Sequence, residues 1–195
     1  MNEVKTVRTG TKKHLPGEEG IWAVVFGDLV IFAILFGAFA YYRGLDVELF
    51  VSDQASLHRG LGLLNTIVLL TSSAFVAWAI QRLRANSADR AGPRRALAIG
   101  AALGAAFVVV KIVEWREKFA AGITIESGDF FMFYFVMGGI HLLHVLAGTG
   151  FLIYATVATG PEGEAPKMAT LEGIGVFWHL VDMLWVFLFA LLYLA

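Results

Sequence analysis

Eight side chains that could do chemistry lie inside long apolar runs: Asp28, Asn65, Lys111, Glu114, His141, His144, His179 and Asp182. A charge at mid-bilayer costs about 2.5–3.5 kcal/mol on insertion scales, so each charged group there needs a partner or a use. Three pairs share one spacing, i,i+3: Lys111 with Glu114, His141 with His144, and His179 with Asp182. Residues three apart stand on one face of a helix, so each pair forms a compact polar spot. Asn65 and Ser72, seven apart, form a neutral one on another run. Such spots must face the interior of a bundle or another protein, because lipid cannot solvate them.

Three chemistries are open to these residues. A metal centre would use the histidines and carboxylates, yet the Glu-x-x-His pairs of di-iron bundles are absent. The His-x-x-His and His-x-x-Asp pairs fall short of the roughly four to six ligands such a centre takes, and they lie at different depths. A proton carrier or small transporter would use Asp28 as a buried carboxylate, but the chain shows no inverted repeat and no matched pair of broken helices. The plainest use is interhelical hydrogen bonding, worth about 0.6 kcal/mol per bond in membranes. Lys111 is expected to neutralise Glu114 or to snorkel to the surface. No phosphate-binding loop, nucleophile elbow or zinc-protease motif occurs, so an independent catalytic centre is not expected.

The elements that position these residues are apolar helices. The 195 residues are 58% hydrophobic and only 16% charged, and mean hydropathy is +0.71. Soluble domains carry about 25% charge. The absence of cysteine removes disulfides, iron–sulfur clusters, cysteine zinc sites and a cysteine nucleophile from consideration. A net charge of −1 with no basic face argues against a nucleic-acid partner. Five stretches reach the roughly 20 apolar residues that a spanning helix needs: 21–42, 60–80, 95–113, 130–157 and 174–195. We therefore expect an all-α integral membrane protein, a five-transmembrane-helix bundle preceded by a tail at 1–20. Ala38-Phe39-Ala40 mimics a signal-cleavage site, but the apolar run is too long and Asp28 interrupts it.

Orientation follows from Lys and Arg in the polar segments. Ten lie in the tail and in the second and fourth connections, against four in the first and third, which places the N-terminus in the cytoplasm and the C-terminus outside. Aromatic residues at the span ends, among them Trp22, Trp78, Trp178 and Tyr193, fit interfacial belts. Gly100-x-x-x-Gly104 and Ala33-x-x-x-Gly37 permit close helix approach. The run Phe130, Phe131, Phe133, Phe135 is expected to serve packing and lipid contact.

The order of the polar blocks carries more. The chain reads Gly27-Asp28, then Asn65-Thr66 and Ser72-Ser73, then Val113-Glu114-Trp115, then His141-Leu142-Leu143-His144-Val145-Leu146-Ala147-Gly148, and closes on Trp178-His179-Leu180-Val181-Asp182-Met183-Leu184-Trp185. From about residue 18 onward this closely resembles subunit III of haem–copper oxidases, the cytochrome c oxidase type. The resemblance implies an accessory subunit with no redox cofactor of its own. It would be packed against catalytic subunit I (and subunit II), which supply the haems and copper, and would bind phospholipid. It implies support of proton uptake and of the stability of subunit I, in the inner (cytoplasmic) membrane of a bacterium. Asp28 would stand where the family has its carbodiimide-reactive carboxylate; Asn65, Glu114, His141, His144, His179 and Asp182 match its other polar positions. Two departures matter. The full-length family has seven spans and this chain lacks the first two, and Asp28 replaces the usual Glu, one methylene longer. Five-span forms with Pro16-Gly17-Glu18 before Gly-Asp also resemble the subunit-III-like protein associated with nitric oxide reductase, which would change the partner's substrate from oxygen to nitric oxide. From the cost of unpaired polar groups in three spans, we expect Asp28, His141 or His144, and Asp182 to form one internal cluster.

Overall fold

The computed structural model describes residues 19–194 apart from 87 and 162–165. Most of the expected tail, with Pro16-Gly17-Glu18, lies outside the described residues. Among the described residues there are six α-helices and no strand: α1 (Glu19–Leu45), α2 (Val47–Ala55), α3 (Arg59–Ala85), α4 (Ala91–Ala120), α5 (Asp129–Ala158) and α6 (Met168–Phe189). A π-helical turn, Ala190–Leu194, continues α6. All but α2 are long and apolar enough to cross a membrane. Short connections alternate their directions, so α1, α4 and α6 begin at the end of the bundle where α3 and α5 finish. Arg84 at the end of α3 reaches Glu172 at the start of α6 (2.5 Å), which ties this end together.

The helices start and stop where local chemistry dictates. Pro93 sits in the first turn of α4, where its missing N–H is not needed. The helix continues past Val113, the end expected for that span, to Ala120. There Gly122, with φ of 76°, closes it: the Ile123 N–H donates to the Lys118 carbonyl and the Gly122 N–H to the Phe119 carbonyl. That is the left-handed closure glycine favours. The first connection is not a plain loop. Asp46 caps α2 by accepting from the Leu49 N–H (3.1 Å), and Phe50 buries itself between Phe39 and Phe130.

α6 is the hub: 56% of its most apolar window is buried, against 17% for α1, which stands at the edge against α5 and α6. The α1 seam that faces them is Val25, Asp28, Phe32 and Phe39, at steps of three, four and seven. Glycines let α4 reach its neighbours. A Cβ on Gly100 would lie 2.9 Å from Val76, and one on Gly104 would lie 2.6 Å from Thr149 Oγ1 and 2.7 Å from the Trp178 ring. Ala33 and Gly37 instead face outward, and no side chain among the described residues comes within 4 Å of a carbon added at Gly37. Gly104→Ala is therefore expected to lower stability by about 1–3 kcal/mol, whereas Gly150→Ala, with nothing within 4 Å of the added carbon, should cost nothing. Thermal unfolding of the two purified variants in one detergent checks the contrast. The Phe130–Phe135 phenylalanines are all buried, so they serve packing.

Candidate functional site

The polar residues of the spans gather in three groups. The first is Asp28 of α1 with His144 of α5, Oδ1 to Nε2 at 3.3 Å. The Nδ1 of His144 lies 2.7 Å from the Ile140 carbonyl, which can only accept, so Nδ1 carries its hydrogen. That turns the other ring nitrogen, Nε2, toward the carboxyl. Phe32 stands edge-on to the imidazole and Phe177 stacks beside it. The pair lines an open groove of about 380 Å³ with Ile21, Val24, Phe151 and Phe177. An adjoining groove of about 540 Å³ shares those four residues and continues toward Thr170 and Gly173 of α6. The Oδ2 of Asp28 is buried and has no hydrogen-bond partner among the described residues.

The second group joins α3 to α6. Ser73 Oγ lies 2.5 Å from His179 Nδ1, with Asp182 beside them. Next to it the Trp178 indole N–H donates to Ser72 Oγ (3.1 Å), whose hydroxyl donates to the Gly100 carbonyl of α4 (2.8 Å). Asp182 thus does not join Asp28, and the expected single cluster divides. At 100° per residue, Asp182 lies about 140° around α6 from Phe177, which faces the groove.

The third group is the most buried. Lys111, 1% exposed, donates to Glu114 (3.0 Å), to the Tyr134 hydroxyl (3.2 Å) and to the Tyr193 hydroxyl (2.9 Å). Tyr193 in turn donates to the other Glu114 oxygen at 2.6 Å. All three ammonium hydrogens are used, and the charge also sits 4.4 Å from the Tyr134 ring centre. Lys111 neutralises Glu114 and does not snorkel. Tyr134 and Tyr193 were not anticipated in this role. The signal that could have found them is donor arithmetic: a buried ammonium needs three acceptors, and Glu114 bonds only one of its hydrogens. Tyr193 and Trp178 are buried and belong to the core, not to an interfacial belt.

His141 lies between groups. Its ring is fully buried against Phe107 and Trp185, within electrostatic range of both His144 and Lys111, and neither nitrogen has a hydrogen-bond partner among the described residues. Asn65 is equally buried, and its amide is likewise unpartnered there. Among the described residues no three histidine or acidic side chains come close enough together to hold a metal ion. What the arrangement offers is an imidazole facing a carboxyl at the groove and a paired charge in the core.

The family model for cytochrome c oxidase subunit III matches residues 17–195. The cytochrome bo(3) ubiquinol oxidase subunit 3 of Pseudomonas putida is 27% identical over 182 residues, covering 90% of this chain and 84% of that protein. The heme-copper oxidase subunit I+III of Aeropyrum pernix is 25% identical over 187 residues, again 90% of this chain but 22% of that protein. The cytochrome c oxidase subunit 3 of Ornithorhynchus anatinus is 36% identical over 132 residues, 67% of this chain. The chain spans about half the length of that relative, 49%, and about a fifth of the joined one.

Proposed function

This chain belongs to the cytochrome c oxidase subunit III family, and from that membership we propose that it is the accessory subunit of a haem–copper terminal oxidase that supports proton uptake by, and the working stability of, catalytic subunit I. It is a multi-pass membrane protein of that family. In our reading subunit I holds the haems and copper and reduces oxygen to water, with subunit II as a further partner and phospholipid at the membrane-facing grooves. The Lys and Arg excess in the tail and in the second and fourth connections supports a cytoplasmic N-terminus and an external C-terminus. The Pseudomonas putida relative supports a bacterial inner membrane, and the Aeropyrum pernix protein, named for subunits I and III together, supports contact with subunit I.

The observation that carries the proton-supporting role is the Asp28–His144 contact. It sets an imidazole against a carboxyl at a groove that opens on α1, the helix least covered by its own bundle. A group that keeps and releases a proton at the edge of a membrane subunit can feed a neighbour's uptake path. Glu114, His179 and Asp182 bond within the bundle that carries this pair, and His141 and Asn65 occupy buried positions in it.

Asp28→Asn tests it in the intact complex. The amide keeps the size of the carboxyl but cannot exchange a proton with His144. The expected result is an assembled oxidase whose initial turnover is near the parent's but whose activity decays in several-fold fewer turnovers. A lower unfolding temperature with unchanged turnover and lifetime would reassign Asp28 to holding α1 in place. Gentle-detergent purification from native membranes tests the partner. Haem absorption with an oxygen-consuming catalytic subunit supports the reading, and a nitric-oxide-reducing one would replace oxygen by nitric oxide.

A further inference from the structure

The Lys111–Glu114 pair lies on α4, and one of its two phenolic partners comes from a different and distant part of the chain. Tyr193 belongs to the π turn Ala190–Leu194, 82 residues from Lys111, and its hydroxyl both accepts from the ammonium and donates to the carboxylate. A π turn widens the helix and rotates the residues that follow it, so a local change of winding can redirect a side chain. The approach is possible because α3 offers Gly62 there. A Cβ on Gly62 would lie 2.9 Å from both the Phe189 and Tyr193 rings, which stack on each other at 5.5 Å.

The same turn touches the short helix at that end of the bundle. The Leu191 carbonyl accepts from the Gln54 side-chain amide of α2 at 3.4 Å. Gln54 is 4% exposed, so its side chain is packed into this end of the bundle. Two further ties hold α2 and the bend after it to α4: Lys118 Nζ donates to the Ser56 carbonyl at 2.5 Å, and His58 lies 3.5 Å from Glu117 at the surface.

We propose that the π turn is a conformational latch: seating Tyr193 on the Lys111–Glu114 pair completes the burial of both charges and, through the Leu191–Gln54 bond, holds α2 closed over the end of the bundle. Before Tyr193 is seated, Glu114 lacks one charge-assisted donor and Lys111 one acceptor at buried positions, so the turn closes because the alternative is costly. Closing it presents the Leu191 carbonyl to Gln54. Release of the turn loosens α2 at its Gln54 end, while Phe50 and the Lys118–Ser56 bond still hold it to α1, α5 and α4, and α3 to α6 stay packed on their apolar faces.

The chain contains no cysteine, so one introduced at Leu57, 5% exposed in the bend after α2, is a unique reporter of opening. The full chain carrying Leu57→Cys is expressed with its native partners, exposed to a water-soluble maleimide in membranes, and its labelling rate is read by mass. Tyr193→Phe, which keeps the ring and removes the hydroxyl, is expected to speed labelling at least tenfold. Gln54→Leu leaves the charge cluster intact and should speed labelling several-fold without lowering the unfolding midpoint, so the proposal stays testable even where Tyr193→Phe fails to fold. Gly104→Ala, destabilising at a site between α4, α5 and α6, should leave the rate unchanged. Parental rates in both latch variants, acceleration in only one of them, or equal acceleration by Gly104→Ala would each overturn the latch.

Discussion

Replacing Glu114 with leucine is expected to cost about 3–5 kcal/mol, because it leaves Lys111 charged, 1% exposed and faced by only two phenolic oxygens. A buried ammonium cannot be hydrated in place, and no other acid stands within bonding distance of it among the described residues. Lys111→Met, made alone, strands Glu114 in the same way with neutral phenolic hydroxyls in place of the ammonium, Tyr193 at 2.6 Å among them, and a loss of similar size is expected. The double variant Lys111→Met, Glu114→Leu should recover most of either loss. It removes both charges together, and the Tyr134 and Tyr193 hydroxyls are near enough to bond each other. The measurement is the unfolding midpoint of the four proteins in one detergent. Additive losses in the double variant would show that the two side chains act separately and that the pair is not a unit.

Trp178→Ala is expected to cost a similar amount, about 3–5 kcal/mol, by a different route. The indole is 1% exposed and lies where α4 and α5 both give way to it: carbons added at Gly104 and Gly148 would each stand 2.7 Å from its ring. Two helices have dropped their side chains to admit one, so removing that one leaves a cavity with no neighbour able to fill it. Trp178→Phe separates the polar part. It keeps most of the ring but removes the N–H that bonds Ser72, and only about 1 kcal/mol should be lost. If Trp178→Ala were to unfold at the parental midpoint, the core would have to collapse across three helices, and Gly104 and Gly148 would then tolerate alanine.

How much of this was legible in the sequence differs from residue to residue. Long apolar runs with few charges can only be helices in lipid, so five spanning helices and their order followed from composition alone. The i,i+3 pairing of Lys111 with Glu114 was likewise readable, because that spacing brings two side chains together within one helix without help from any neighbour. The ordered polar blocks, from Gly27-Asp28 to Trp178-His179-x-x-Asp182, pointed to the subunit III family, to which the chain belongs.

Other features depended on contacts that no local pattern encodes. α2 was missed because nine residues with two buried side chains carry little periodic signal; its Asp46 cap and the Phe50 pocket made by α1 and α5 stabilise it. Asp28, His144 and Asp182 were each rightly placed inside spans, yet which of them meet depends on the rotation of each helix against its neighbours. Knowing that a residue is buried restricts its direction only to the inward half of a helix. His144 turns toward α1 and finds Asp28, while Asp182 turns toward α3 and finds His179 and Ser73.

By itself, then, the sequence determined the solvent of this protein, the number and order of its spanning helices, the charges that had to be satisfied, and the family. Tertiary structure alone decided how they are satisfied. A helix repeats every 3.6 residues and so sets only which side chains share a face. The partner across the bundle is chosen by packing, where Gly62, Gly104 and Gly148 let neighbours approach and the π turn swings Tyr193 onto an ion pair 79 to 82 residues away.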